Sequence, residues 1–486
     1  MGLKIVHSQH VLCYNDRAQI LIEVIFLATT ATTPPMTATQ KSSSQIKRLA
    51  WIIVCVSFML FCSLSIATTG GLYYFFVRST VAMDVSMEVG RGSVGVTAID
   101  YEQIRRYEPL PFFIDDRPST LTTDTLSQTT LSFRTPSDQV QSETDIITNI
   151  TLKNNSGITV QNARRPRFNW SDGIYSIALD DFSGEAEIFI TEVSEQPIRL
   201  QVNTAFTEAS FLFDTIGHYT ITANDTLIRV VTHNGRALLI SPNNMNNRFA
   251  IAGQQATLLN GSNLPIVTTI AENLIENGDF TFNMLAQGTD PLVPQRWGCF
   301  ARLDEPPIGQ YEPTAWQGRP AVRLFRDVGD ASSQTGCSQI LNQSVEAFSF
   351  LELRTTFAIN EQSLVNCGIV GTECPMMIFI DYLDPTGEER TWYQGIFVNY
   401  DPQSPRPLVC QACAETYEHL PISPSVWYTF ESGNIFARVP EEERPVEILD
   451  IEFYASGHRY DVFVSEIALL AGTEQVIPPM GNVPPE

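Results

Sequence analysis

Cysteine is the residue type whose placement says most about chemistry in this sequence. Six of the nine cysteines, Cys299, Cys337, Cys367, Cys374, Cys410 and Cys413, lie in one C-terminal region. Cys410 and Cys413 are two residues apart in a Cys-x2-Cys, Cys367 and Cys374 form a Cys-x6-Cys, and His419 follows. Four thiolates, or three and an imidazole, could hold zinc tetrahedrally. A single Cys-x2-Cys with an irregular partner is a weaker zinc pattern than two close knuckles, and an even number of cysteines suits an oxidising compartment. Disulfides are therefore expected, with no metal and no cofactor. Cys299 with Cys337 is the preferred pair, leaving the other four to staple the stretch from 367 to 413.

Catalytic patterns are sparse. The six histidines (His7, His10, His218, His233, His419, His458) supply no H-E-x-x-H, and no serine in the C-terminal part sits in G-x-S-x-G. Carboxylate pairs occur at Asp115-Asp116, Asp180-Asp181 and Glu441-Glu442-Glu443. A glycosidase needs two such groups facing one cleft, whereas acidic runs are more often solvated loops, so no catalytic residue is assigned. Gly90-Arg91-Gly92-Ser93-Val94-Gly95 matches G-x-G-x-x-G, but its surroundings predict strands instead of a βαβ unit, and a glycine-permissive bend is expected. The remaining candidates are aromatic. Sugars stack their C–H faces on exposed rings, and Trp392, Tyr393 and Trp316 lie in or beside predicted strands, with Trp392 the first choice. Trp297 and Trp427 are expected to pack in a core.

The element that positions everything else is Leu49 to Val77, which contains no Asp, Glu, Lys, Arg or His. About 20 apolar residues span a bilayer as a helix, so this run predicts a single crossing. Trp51 and Tyr73-Tyr74-Phe75-Phe76 near its ends suit the headgroup level. Ser65-Ile66-Ala67 would suit a signal-peptidase site, but the run is too long and starts too late for a signal h-region, and an uncleaved anchor is expected. Lys41, Lys47 and Arg48 before it, against Arg78 and Arg91 after it, place residues 1–48 in the cytosol as a stub. Met36 opens a second possible start.

The net charge is -24, and residues before Arg78 are net basic, so the remainder is more acidic still. Beyond the anchor the only lysine is Lys153. A nucleic-acid partner is excluded, because counterion release needs a basic stripe. From Asp145 the pattern turns to a period of two. Short alternating runs such as Ala186 to Ile190 and Ile198 to Val202 are bounded by Gly, Asn, Asp or Pro, as in a sandwich or solenoid. His218 to Thr222 and Leu227 to Val231 flank a short turn. Asn234-Gly235 then reads as a hairpin turn before Arg236 to Ile240.

Two resemblances arise from these runs. Gly217 with Tyr219, the strand Leu227 to Val231, Asn234-Gly235 and a closing strand resemble the β domain of FecR-type regulators, over about 80 to 265 and best over 198 to 258. That family implies an extracytoplasmic domain behind a membrane helix and a protein partner. The sequence departs from it where a cytosolic sigma-factor-binding region would stand. Asn273-Leu274-Ile275-Glu276-Asn277-Gly278-Asp279-Phe280, then Pro294 and Trp297, resembles the opening of galactose-binding-like, carbohydrate-binding-type jelly rolls. Trp427 to Phe430, Leu449 to Phe453 and Tyr460 to Val464 agree with the far end, and the likeness covers about 272 to 472. The resemblance implies a glycan ligand.

The expectation is a mainly β chain: a stub (1–48), a transmembrane helix (49–77), a FecR-like β domain (78–265), a C-terminal β-sandwich jelly roll (266–475) and a tail (476–486). Its partners would be the membrane and a glycan or envelope polymer, and it would not be an enzyme. A signalling sensor with a protein partner and a glycosidase are the alternatives.

Overall fold

The computed structural model describes residues 43–107, 110–135, 146–168, 170–191, 196–281, 296–303, 306–413 and 417–473. Most of the stub, the tail and Pro294 fall outside them. The chain divides into two units, Met1–Gly70 and Gly71–Glu486. In the first, an α-helix beginning at Ser43 and running to Tyr73 carries the apolar run. It is long and apolar enough to cross a membrane, and none of its most apolar window is buried, unlike the core helix of a globular domain. Its hydroxyls fold back onto the helix, Ser65 Oγ donating to Phe61 O at 2.9 Å and Thr69 Oγ1 to Ser65 O at 2.7 Å. That back-bonding is how polar side chains are tolerated in an apolar helix. A π-helical turn, Tyr74–Arg78, ends it.

The second unit is mainly β, as its alternating sequence requires. Strands from Thr80 to Thr269 form one hydrogen-bonded array that closes on itself around a core containing Leu131, Phe133, Ile150, Ile188, Phe211 and Tyr219. Its two faces share the long strand Tyr175–Ile190. The first part of that strand pairs with Gly157–Pro166 and, in parallel, with Ile198–Thr204; the second pairs with Ile146–Leu152 and Gly217–Ala223. The strand changes sheet at Asp181–Gly184. Gly184 has φ 89°, and a Cβ there would lie 2.6 Å from Ser156 Cα, so only glycine fits.

The predicted hairpin between Gly217–Ala223 and Leu227–Asn234 forms, with Asn224 Oδ1 accepting from the backbone N–H groups of Thr226 and Leu227 at 2.9 Å. Asn234-Gly235 behaves differently from its hairpin reading. Leu227–Asn234 pairs with Gln254–Leu259, whereas Arg236–Ile240 pairs with Ser210–Phe213 and Arg248–Ile251 in the other sheet. The dipeptide is a corner between sheets, closed by Tyr219, whose hydroxyl accepts from Arg236 N at 3.2 Å. Gly92, inside the G-x-G-x-x-G match, makes a similar corner at φ 73° between Asp84–Arg91 and Ser93–Ala98.

Residues from Glu272 onward build a two-sheet sandwich. One sheet runs Gln310–Trp316, Arg319–Arg326, Tyr460–Gly472, Phe350–Gln362 and Tyr428–Glu431, with Glu272–Asn273 paired to Tyr460–Gly472. The other contains Gly298–Leu303, Ser333–Ser344, Glu447–Gly457, Met376–Leu383 and Glu389–Phe397. The opening motif explains itself structurally. Asn273 Oδ1 accepts from Leu469 N at 3.0 Å, Trp297 Nε1 donates to Asn277 O at 3.1 Å, and Gly278 approaches Ile467 O too closely for any Cβ. Phe280, Trp297 and Phe453 then pack ring to ring.

Candidate functional site

Alternation along the strands gives each sandwich a second, polar face. On one side Lys153, Glu185, Glu187, His218, Thr220 and Arg229 project from strands whose other residues, such as Ile188 and Ile221, fill the core. On the other, Arg319, Glu352, Arg354, Thr429, Glu431 and Glu466 alternate with Leu351, Leu353, Phe430 and Ile467. These two polar faces meet. Gln128 brackets Thr429, its Nε2 donating to Thr429 O at 3.2 Å and its Oε1 accepting from Thr429 N at 2.9 Å, and Asn149 Nδ2 donates to Gln317 O at 3.1 Å.

Charge is buried along the seam. Lys153 Nζ contacts Glu185 Oε1 at 2.6 Å and also Glu431 of the other sandwich. Burial pulls its ammonium down, but the two carboxylates outweigh that and hold its pKa above the ordinary lysine value. Glu187 is reached by His218 Nε2 at 2.8 Å, Arg319 Nη1 at 3.2 Å and Arg354 Nη2 at 3.7 Å, and it accepts from Thr429 Oγ1. Burial alone would raise its carboxyl; Arg319, the His218 hydrogen bond and Arg354 hold it well below the ordinary range. Arg354 Nη1 donates to His233 Nε2 and Thr220 Oγ1, each at 2.9 Å. Burial, and then the Arg354 charge, push His233 well below the usual imidazole value, so it accepts as a neutral ring. Glu352 moves the other way. Burial and the nearby Glu431 carboxylate raise it to about 8.

Beside this network, where the joint through Ile270 and Ala271 links the sandwiches, a cleft of about 830 Å³ opens. His218, Arg319 and Glu466 line it from the network, Phe189 adds a ring, and Glu272 and Asp279 stand exposed on it. Ile270 and Ala271 also line a cavity of about 70 Å³ that holds Glu352, Arg354 and Glu431. Donor atoms of Glu187, His218 and Glu466 lie within 4.8 Å of one another, a spacing a cation could use. Arg319 and Arg354 already neutralise Glu187, so this group reads as an ion-pair network.

Burial corrects the expected aromatic platform. Trp392 and Tyr393 are 1% exposed and Trp316 6%, so none can offer a ring face to a sugar. Trp392 lies in the sandwich core, and Tyr393 packs beside Phe379 and Tyr417 near the Cys367–Cys374 disulfide. Trp316 joins Trp427 and Phe463 in a separate cluster on the polar side of its sheet. Trp427 is buried as expected, although in that cluster and not between its own two sheets. Trp297 is in the core.

The cysteines pair as Cys299–Cys337, Cys367–Cys374 and Cys410–Cys413, the first across adjacent strands in direct register. With its sulfurs joined, the Cys367, Cys374 and His419 group has no thiolate to offer a metal, and His419 Nε2 instead lies 2.7 Å from Gly371 O. Strand patterning alone does not find the buried charges. One signal points to them: the single lysine beyond the helix stands at a strand end, and glutamates alternate along the strand that faces it.

No family model matches the chain, and no curated protein matches it. Solved structures do show partial likeness. An anti-sigma factor from Parabacteroides distasonis ATCC 8503 is 16% identical with a TM-score of 0.21, over 31% of this chain and 60% of that one. The family 11 carbohydrate-binding module of a Clostridium thermocellum cellulosomal cellulase is 11% identical, TM-score 0.23, over 39% of this chain and 94% of that one. The CBM22-1 xylan-binding domain of Paenibacillus barcinonensis Xyn10C is 12% identical, TM-score 0.23, over 43% and 99%. The chain spans about 60% of the length of the anti-sigma factor it matches.

Proposed function

We propose that this is a membrane-anchored, extracytoplasmic binding protein that takes a glycan or other polyhydroxylated envelope polymer into the cleft at the joint. The observation that carries the reading is the cleft itself, about 830 Å³ with donors and acceptors converging from both sandwiches. The exposed Glu272 and Asp279 carboxylates can accept from adjacent hydroxyls, while Phe189 supplies an apolar wall and the buried His218 and Arg319 fix the cleft from behind. Binding, not turnover, fits the carboxylates. Glu187 is fully buried and already bonded to His218, Arg319 and Thr429, so it is a poor candidate for a glycosidase acid or nucleophile.

A glycan array probed with the full chain in detergent tests this. Binding should be weak per site and stronger when copies are clustered, because tethering turns later contacts into intramolecular ones. Asp279→Ala and Glu272→Ala, both at exposed positions of the cleft, should weaken binding and leave the thermal midpoint unchanged. Trp392→Ala should instead cost about 3 to 5 kcal/mol of stability, as a core deletion does. A folded protein that binds no glycan at any density overturns the reading.

A further inference from the structure

The residues that follow the apolar helix meet a loop from much later in the chain. Arg167 N donates to Ser79 O at 3.1 Å and Arg167 Nε to Ser79 Oγ at 3.2 Å, immediately after the π-helical turn Tyr74–Arg78. Thr80–Ala82 pairs with Arg164 to Pro166, so the tie is part of the β-sheet. It brings four aromatic rings together. Phe168 lies 5.9 Å from Phe75 and 5.5 Å from Phe76, and Trp170 stacks on Phe168 at 5.2 Å and lies 6.1 Å from Phe76. The Arg167 guanidinium sits 5.2 Å over the Phe75 ring.

This cluster is not a core. Trp170 is 66% exposed, and Phe75 and Phe76 are exposed beside it, whereas Trp297, Trp316, Trp392 and Trp427 are all buried. Arg78 and Arg167 are exposed at the same place, in a chain whose net charge is -24. Exposed indole and phenyl rings flanked by arginines match the headgroup and glycerol layer of a bilayer, where ring bodies leave water and cations meet phosphates. The chain reaches this cluster directly from the apolar run, so one occupant is continuous with it.

We propose that Phe168 and Trp170 sit in the interfacial layer of the membrane that the helix crosses. The loop is then a second membrane contact, which holds the β unit against the lipid surface. This rests on the membrane-anchor reading above. The partner is the phospholipid interface, held by ring burial and by Arg78 and Arg167 at the phosphates.

The test uses the full chain reconstituted in phosphatidylcholine and phosphatidylglycerol vesicles doped with lipids brominated at shallow or deep acyl positions. Trp51, at the start of the apolar run, reports the anchor independently. With Trp51→Phe, a component of tryptophan emission should still be quenched, more by shallow than by deep bromolipid. Adding Trp170→Ser should remove it. Trp170 is exposed, so this change leaves the fold intact, which the thermal midpoint checks. If Trp51 is quenched but Trp170 contributes nothing, the anchor stands and the proposal falls. Shielding of Trp170 from aqueous acrylamide without bromolipid quenching would mean a protein contact, such as a second copy, and also overturns it. Failure of the chain to float with the vesicles overturns the anchor reading and this proposal together.

Discussion

Glu352 is the member of the buried network whose charge changes near neutral pH. Its carboxyl ordinarily titrates at 4.5 and stands at about 8 in the fold, so the folded protein holds a proton that the unfolded chain releases. Stability therefore falls as the pH rises through that window. His233 acts oppositely below its ordinary 6.5, because its folded value is depressed and acid protonates the unfolded chain first. Glu187, also depressed, contributes stability that is present above 4.5 and lost as the pH falls toward its folded value. The opposing effects leave the Glu352 slope clean only between about 6.5 and 8. Stability from urea unfolding should fall across that interval by up to about 2 kcal/mol, and Glu352→Gln should flatten the profile. An unchanged slope in the variant would assign the effect elsewhere. At this scale the sequence is legible where chemistry is intrinsic to the residue. Six clustered cysteines announce disulfides on the oxidising side of a membrane, and the preferred Cys299–Cys337 pair forms. A tryptophan in a strand does not announce which face it takes or what covers that face, and the platform reading of Trp392 fails for that reason.

Among the elements, the strands are readable from their period, and so is the Ala223 to Thr226 turn, because Asn224 caps its own turn locally. The Asn234-Gly235 corner is not. The left-handed conformation at Gly235 serves a hairpin and a sheet-to-sheet corner equally, and the choice is made by Tyr219 and the separate partners of the flanking strands. Two glycines separate conformation from crowding. Gly235 has φ 85°, and a Cβ there would fall 2.3 Å from Tyr219 Oη and 2.5 Å from Ile216 O. Gly253 has φ 80° with nothing within 4 Å. Gly253→Ala should cost about 1 kcal/mol of backbone strain. Gly235→Ala should cost that plus about 1 to 3 kcal/mol for displacing the tyrosine corner, measured by thermal or urea unfolding. Equal losses would mean that the corner gives way without resistance.

For the whole molecule, the decisive feature is a seam that no local pattern reveals. Both sandwiches alternate apolar and polar residues, and such alternation ordinarily means one face in the core and one in water. Here the polar faces cover each other, so residues that a strand pattern would place in water are buried ion pairs. A seam of this kind gives specific register and little net stability, because desolvation offsets most of the Coulombic gain. Removing one partner is another matter. Lys153 joins Glu185 of its own sandwich to Glu431 of the other, and Lys153→Met would leave two carboxyl groups buried against each other. We expect a loss of about 3 to 5 kcal/mol, and two calorimetric transitions where the wild-type β unit should show one, as the sandwiches uncouple. Adding Glu431→Gln should restore most of the stability and the single transition, since one positive and one negative charge are then removed together and Arg229 and Arg354 still face Glu185. If Lys153→Met unfolds at the wild-type midpoint in one step, the Lys153 bridge does not couple the sandwiches, and the Glu187 ion pairs to Arg319 and Arg354 with the Gln128 and Asn149 hydrogen bonds hold the seam without it.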